Sequence, residues 1–551
     1  MIAARLLRLA AAFGLVVGAA AAARAQPADP PPPRLVVALV VDQFSADLFA
    51  EYRGRFTGGL ARLAQGAVFA AGYQSHAATE TCPGHSTILT GAHPARSGIV
   101  ANTWFDLSIA RAKKAVYCSE DETRVATDPG DYVASAVHLL VPTLGDRLKR
   151  ANPDSRNVAV SGKDRGALML GGHAIDQVYW WKGAGFVTLA GRTLGPAAEA
   201  ANAAVAAEIA RPAAAMPLPP DCARHDRAVM AGAANVGTGR FARNLGDATR
   251  FRLSPRLDAA TADLARRLTE ELDLGRGPAT DVLSVSLSAT DYVGHATGTE
   301  GAEMCLQLHA LDRTIGDLLA FLDARGIDYV AVLTADHGGL DLPERLAEQG
   351  LPQAARVDPA LMPEPLGKAI AARLGLPGDA SPILGDGPFG DLYLAASLSA
   401  DQRKRALAEL KALVQHPQVA AVFTADELAA TPLPAGSPET WTLRERARAS
   451  YRRGRSGDAV MLLERAVVPI AVPGPGYTAT HGSPWDYDRR VPILFWRRGL
   501  AGFEQPHPVK TVDIAPTLVA LVGLHVPEAE FDGRCLDLDP GAANTCGDDG
   551  R

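Results

Sequence analysis

At 551 residues and 57.7 kDa the chain is long enough for one large elaborated domain or several smaller ones, and 47% hydrophobic with 21% charged residues excludes a disordered chain. A formal charge of −6 argues against phosphate-backbone binding, so nucleic acid is not expected as the main partner. No stretch beyond residue 25 approaches the roughly 20 apolar residues of a bilayer span, so no stable membrane insertion is expected.

The chain opens with Arg5 and Arg8 ahead of an apolar run from Leu9 to about Ala22, and Ala23-Arg24-Ala25 before Gln26 has the small-x-small pattern of a cleaved export signal. Residues 1–25 are expected to be removed, which takes away three arginines, moves the charge to −9 and places the protein in the periplasm or outside the cell. Residues 26–33 form a Pro-rich linker, and 34–551 are expected to form the working domain. All six cysteines (82, 118, 222, 305, 535 and 546) lie in that part; an even count in an oxidising compartment predicts three disulfides. Sequential pairing, 82–118, 222–305 and 535–546, is expected, with the short loop favouring the last pair most. A monomer is expected.

Leu35 to Val41 (LVVALVV) is an unbroken apolar, β-branched run, which suits a strand buried on both faces of a largely parallel sheet, and it stops at Asp42. ATETCPGHSTI (78–88) places the hydroxyl of Thr81 just ahead of an expected helix, with Pro83 at its first position and Gly91 as its stop. The unpaired N–H groups of a helix start favour an alkoxide or a phosphoryl oxygen. Three more strand runs lead into polar segments: Asn157 to Val160 into SGKDRG, Asp281 to Leu287 into SATDYVGH, and Tyr329 to Leu333 into TADHGG. A fifth, Val491 to Trp496, follows an HGS segment. Between them Leu306, Leu311, Ile315, Leu318, Leu319 and Leu322 recur at helical spacing over 302–322. Strands alternating with helices predict an α/β fold, a central largely parallel sheet flanked by helices, whose ligands sit beyond the strands' carboxyl ends. Insertions are expected near 167–280 and 341–480, the second a small α/β cap that shapes access.

Asp42, Asp291 with His295, and Asp336 with His337 each stand just after one of these strands. A single Asp there reads as a cap or turn residue; three such ends, two of them also carrying His, point to a metal centre. Asp291 and His295 are four apart, as on one face of a helical turn, and Gly338-Gly339 permits the irregular loop that adjacent Asp336 and His337 require. Oxygen and imidazole donors suit zinc better than manganese or magnesium. Two such ions roughly 3.5–4 Å apart stabilise the attacking and leaving oxygens of an in-line displacement at phosphorus. Thr81 would then form a covalent phosphothreonine that water hydrolyses.

Asp42, ATETCPGHST, Asn102 in ANTW, SGKDRG, TDYVGH, TADHG and THGS, in this order and at these separations, resemble the bacterial alkaline phosphatases of the phosphate-irrepressible, threonine-nucleophile type. Those belong to the type I phosphodiesterase/nucleotide pyrophosphatase branch of the alkaline phosphatase superfamily. The resemblance covers nearly the whole chain beyond the signal and implies an alkaline phosphatase-like fold. It implies that Asp42, Thr81, Asp336 and His337 surround one zinc and that Asp291, His295 and His481 hold the other. It also implies that Asn102, Lys163 and Arg165 contact the phosphoryl oxygens not bound to metal. Thr81, rather than Thr79, occupies the threonine position before x-x-Gly-His. His85 and His93 are read as structural. Cys82 does not make a sulfatase, because the C-x-P-x-R signature is not present. A monoester dianion suits the two cations Lys163 and Arg165, so the expected enzyme is a phosphomonoesterase of broad range acting on small phosphate esters. A phosphodiesterase or nucleotide pyrophosphatase with the same site is the alternative, and diesterase side activity is compatible with either.

Overall fold

The computed structural model describes residues 31–126, 131–378, 380–541 and 544–547; the expected export signal and most of the linker lie outside them. Seven consecutive apolar residues leave no solvent face, and Leu35–Val41 is buried along its whole length in the middle of a ten-stranded sheet. It pairs in parallel with Asp281–Leu287 on one side and Tyr329–Thr334 on the other. Outward from Asp281–Leu287 lie Asn157–Ser161, Gln177–Lys182 and Gly185–Val187; outward from Tyr329–Thr334 lie Arg490–Arg497, Ala67–Tyr73 and Phe503–Gln505. Arg490–Arg497 runs antiparallel to both neighbours, so the sheet is mixed but parallel at its centre.

Register is what matters for the site. Val41 faces Leu287 and Val40 faces Thr334, so the three chains leave the same edge of the sheet side by side. Alternation does the rest: Val37, Leu39 and Val41 pack on one face with Leu257, Leu306 and Leu311, while Val36, Ala38 and Val40 pack on the other with Ile88, Leu144 and Ile514. The helix expected over 302–322 is Ala302–Ala324.

Two expectations are adjusted. The helix at the Thr81 motif begins at Thr81 itself, with Glu80 as cap, so two helical residues, Thr81 and Cys82, precede Pro83; Gly91, at φ 69°, ends it as expected. The stretch 167–280 is not an insertion throughout. Gln177–Lys182 pairs in parallel with Asn157–Ser161 and extends the main sheet, and Arg256–Glu271 packs on its face. The stretch 341–480 does hold a separate antiparallel sheet of Ile383–Leu384, Gly390–Leu394, Ala459–Leu463 and Val419–Thr424, with its own core of Leu366, Ile370, Leu410 and Met461.

The disulfides are Cys82–Cys118, Cys222–Cys305 and Cys535–Cys546, the sequential pairing. Among the described residues no helix is long and apolar enough to cross a membrane. One close contact ties the short helix Gly59–Leu63 to Ala302–Ala324: a Cβ on Gly59 would lie 2.4 Å from the Gly316 nitrogen. Asp312 completes it, its carboxylate accepting from the backbone N–H groups of Thr57, Gly58 and Leu60 at 2.7–2.8 Å. Truncating a buried acceptor of three donors orphans all three, so Asp312→Ala is expected to lower the unfolding free energy by about 3 kcal/mol. A denaturant titration with a shifted midpoint and an unchanged slope would register it.

Candidate active site

Four polar segments meet beyond the central strands. Asp42 follows Leu35–Val41 directly; Asp291 and His295 lie on the helix Ala289–Thr297 after Asp281–Leu287; Asp336 and His337 follow Tyr329–Thr334; His481 arrives on the segment before Arg490–Arg497. Thr81 is the first residue of the helix Thr81–Thr90. All of these are buried except His295, which is partly exposed.

The histidines are oriented in one way. Nδ1 of His295 lies 2.7 Å from the carbonyl oxygen of Ala479, that of His481 lies 2.8 Å from the Thr79 oxygen, and that of His337 lies 2.9 Å from the Gly338 oxygen. A carbonyl can only accept, so each Nδ1 carries a proton and donates it, which leaves Nε2 of each ring directed into the site, with a lone pair there when the ring is neutral. Those lone pairs face carboxylates. Nε2 of His295 and of His481 are each 3.3 Å from Asp291 Oδ1; Nε2 of His337 is 3.5 Å from Asp42 Oδ1 and 3.4 Å from Asp336 Oδ2. Burial drives the His337 imidazole down to about 3 and lowers His481 as well, which keeps both rings neutral. Acceptor therefore faces acceptor, and Asp42 Oδ1, Asp291 Oδ1 and His337 Nε2 are buried without a hydrogen-bond partner among the described residues.

The carboxylates add to the demand. Burial, then the charges of Asp291 and Asp336, push the Asp42 carboxyl well above its usual range. Positive charge between these groups relieves both conflicts, and the Lys163 ammonium acts as a stand-in. Its Nζ lies 2.6 Å from Asp42 Oδ2, 2.5 Å from Asp291 Oδ2 and 3.3 Å from Thr81 Oγ1. Donor atoms of Asp42, Asp336 and His337 lie within 4.8 Å of one another, as do those of Asp291, His337 and His481. His337 is stacked on His481 with ring centroids 3.5 Å apart, which puts it at the junction of the two groups. Carboxylates, neutral imidazoles and a hydroxyl form a donor set that fits divalent metal. A superficially similar group, Asp221, Cys222, Cys305 and His309, does not fit, because both sulfurs are joined in the disulfide.

The remaining expected residues border this group. Asn102 Oδ1 accepts from the Cys82 N–H at 2.8 Å, which seats the amide at the start of the Thr81 helix, and the Asn102 N–H donates to Glu80 at 2.7 Å. Arg165 donates to the Tyr117 hydroxyl at 3.2 Å, while Tyr117 and Tyr132 both donate to Asp164, so Arg165 is braced without an ion pair of its own among the described residues. Lys163 is brought in more deeply than a phosphoryl contact requires, onto Asp42 and Asp291. The Thr79 hydroxyl donates to the Ser483 carbonyl at 2.7 Å and so holds the loop of His481, whereas Thr81 faces the Lys163 ammonium.

Several supporting residues carry no signature in the sequence. Asp258 accepts from the Ala289 N–H at 2.9 Å and from Gln307 at 2.8 Å, capping the helix that carries Asp291 and His295. Gln43 takes a left-handed φ of 64°, which directs its N–H to Asp336 Oδ1 at 3.1 Å. His85, read as structural, has Nδ1 3.0 Å from Asp336 Oδ2 and Nε2 2.9 Å from the Ser286 hydroxyl. Its place one helical turn after Thr81 was the available signal.

Residues 36–488 match the type I phosphodiesterase/nucleotide pyrophosphatase family, and the chain belongs to that family of hydrolases. Alkaline phosphatase PhoK of Sphingomonas sp is 54% identical over 517 residues, covering 93% of this chain and 92% of its own length. Alkaline phosphatase PhoD of Zymomonas mobilis is 50% identical over 517 residues, covering 93% and 89%. The crystal structure of wild-type alkaline phosphatase PafA superposes with a TM-score of 0.80 at 25% identity, covering 92% of this chain and 99% of that one.

Gly84 couples the helix of Thr81 to the loop of Asp336 and His337: a Cβ there would lie 2.1 Å from the backbone oxygen of Asp336. Gly84→Ala must push the hydroxyl and the carboxylate apart, and a displacement of about 1 Å costs on the order of 100-fold in rate. The expected result is that loss in kcat/KM with near-native circular dichroism.

Proposed function

We infer that this enzyme, an alkaline phosphatase by its family and its relatives, hydrolyses phosphate monoesters of broad range through a phosphothreonine at Thr81, in a site that holds two zinc ions. The observation that carries the reading is the inward turn of three imidazoles, each held at Nδ1 by a backbone carbonyl, onto three buried carboxylates beside one hydroxyl. Asp42, Thr81, Asp336 and His337 would hold one zinc and Asp291, His295 and His481 the other, which would acidify the Thr81 hydroxyl and offset charge on the leaving oxygen.

The residues of the chain then divide the work. Thr81 loses its proton and attacks phosphorus in line; the ester oxygen leaves and takes up a proton, and phosphothreonine remains. Water adds to that phosphorus, the Thr81 oxygen departs, and inorganic phosphate is released with the hydroxyl restored. The N–H groups at the start of the Thr81–Thr90 helix favour the alkoxide. Asn102, fixed by the Cys82 N–H, and Arg165, braced by Tyr117, bind the free phosphoryl oxygens. Lys163 joins them by turning its ammonium from Asp42 and Asp291 to the phosphoryl group, a movement its flexible stem allows. The dianionic group of a monoester gains most from two cations; a diester, with one negative charge, gains less. Export with removal of residues 1–25 belongs to the same reading, and three disulfides support an oxidising compartment. The expected partners are small phosphate esters, and the expected state is a monomer.

For the zinc-loaded enzyme at alkaline pH, kcat/KM should favour an aryl monoester over the matching diester, and a strong chelator should abolish both activities. Lys163→Ala combined with Arg165→Ala should cut monoester turnover by about 1,000-fold and diester turnover by about tenfold or less. A diester preference in the native enzyme would make it a phosphodiesterase on the same site. Thr81→Ala should leave no acid-stable phosphoprotein after a brief pulse with labelled monoester.

A further inference from the structure

A second concave region shares no residue with the carboxylate–histidine site. A cavity of about 560 Å³ is lined by Arg96, Arg448, Arg452, Arg453, Tyr451 and Asp532, among others. Four guanidinium groups and one carboxylate form its charged wall, in a chain whose formal charge is −6. That carboxylate is committed: Asp532 Oδ2 accepts from the His93 N–H at 2.8 Å and Oδ1 from Arg96 at 3.2 Å. Arg453 has only the exposed Asp426, at 3.7 Å. Arg448 and Arg452 form no ion pair among the described residues.

Surface arginines are usually solvated and mobile, and a charged wall alone would carry no meaning. These are held. Arg448 donates from Nε to the Thr431 carbonyl at 2.8 Å and from Nη1 to the Tyr451 carbonyl at 3.3 Å, and Arg452 donates from Nη1 to the Ala95 carbonyl at 3.2 Å. Carbonyl anchors fix the forks without neutralising them, so little side-chain freedom remains to be lost on binding. The frame is fixed too. Ser450 Oγ accepts from the Ala77 and Ala78 N–H groups, each at 3.1 Å, just before the Thr81 helix, and the Asp532 N–H donates to the Gly91 carbonyl at 2.8 Å, just after it.

We propose that this recess is a second anion site, taking a soluble phosphate oxyanion, free or as the phosphoryl end of a small ester, between Arg448 and Arg452. Tetrahedral oxyanions accept from guanidinium forks with charge-assisted bonds, and the volume leaves room beside Tyr451 and Leu433 for a modest organic group. A phospholipid headgroup carries the same charge, and binding to vesicles against binding of free phosphate separates the two sources.

The test is equilibrium dialysis of labelled inorganic phosphate against the zinc-loaded full chain, counting sites. Arg448→Gln with Arg452→Gln should remove one site per chain and leave kcat/KM for a monoester within about twofold. Because Arg448 also braces Thr431 and Tyr451, Arg453→Glu serves as a second variant at an exposed position; it should weaken that same site at least about tenfold, and added salt should weaken it further. A tungstate-soaked crystal should show heavy-atom density between Arg448 and Arg452. An unchanged phosphate count in both variants overturns the proposal, and so does a cavity without tungstate. Binding to phosphatidylglycerol vesicles that the variants lose, with the phosphate count unchanged, also overturns it. Loss of the Thr81 mechanism would leave the arginine-dependent site in place, so the two readings fail separately.

Discussion

Three buried carboxylates and three imidazoles with their lone pairs turned inward cannot share one pocket without positive charge among them. Asp42, Asp291 and Asp336 repel one another in a low-dielectric setting, and His337 and His481, kept neutral by burial and fixed at Nδ1 by backbone carbonyls, have no proton at Nε2 with which to answer a carboxylate. The Lys163 ammonium between Asp42 and Asp291 meets part of that demand. The fold concentrates charge in this way because the parallel register of three strands delivers their ends to one place. The arrangement costs stability locally and is sustained by the large apolar layers on the two faces of the sheet.

Around this centre the supports are themselves polar and buried. Asp258 fixes the start of the helix bearing Asp291 and His295; Gln43, in a strained backbone conformation, and His85 both address Asp336; Thr79 and Asp488 hold the loop of His481, the latter by accepting from the Ser483 N–H at 2.8 Å. Gln43 and His85 touch Asp336 directly, whereas Asp258, Thr79 and Asp488 act through the backbone that carries Asp291, His295 and His481, so a change at any of them shifts these side chains relative to Thr81.

The central strands were legible in the sequence because a continuous β-branched run such as LVVALVV has one comfortable setting, and the residues that follow such runs are the ones that reach a site in a parallel sheet. Asp42 and the Asp-His pairs were singled out for that reason, whereas Thr81 stood out by its helix-start setting and by the family resemblance. Position within 167–280 was harder. Gln177–Lys182 is a strand of the main sheet, but its short apolar run, Val178 to Trp181, is bounded by Gln and Lys and leads into no polar motif of the kind that followed the others. Asp258 sits in an ordinary amphipathic helix, and nothing local distinguishes it from a solvated acid; its role depends on the meeting of two helices far apart in the chain. Gln43 is similarly silent, since its side chain is enclosed by Gly294 and Gly339, residues remote from it in the sequence.

The central claim is that the inward-facing lone pairs and carboxylates exist to hold metal. It is tested most directly by anomalous scattering at the zinc edge from crystals of the zinc-loaded protein. The account predicts two peaks, one bonded to His337 Nε2 with Asp42 and Asp336, the other to His295 and His481 Nε2 with Asp291, and the Lys163 ammonium displaced from Asp291. Absence of zinc from these positions at saturating metal, with Lys163 still bridging Asp42 and Asp291, would contradict it.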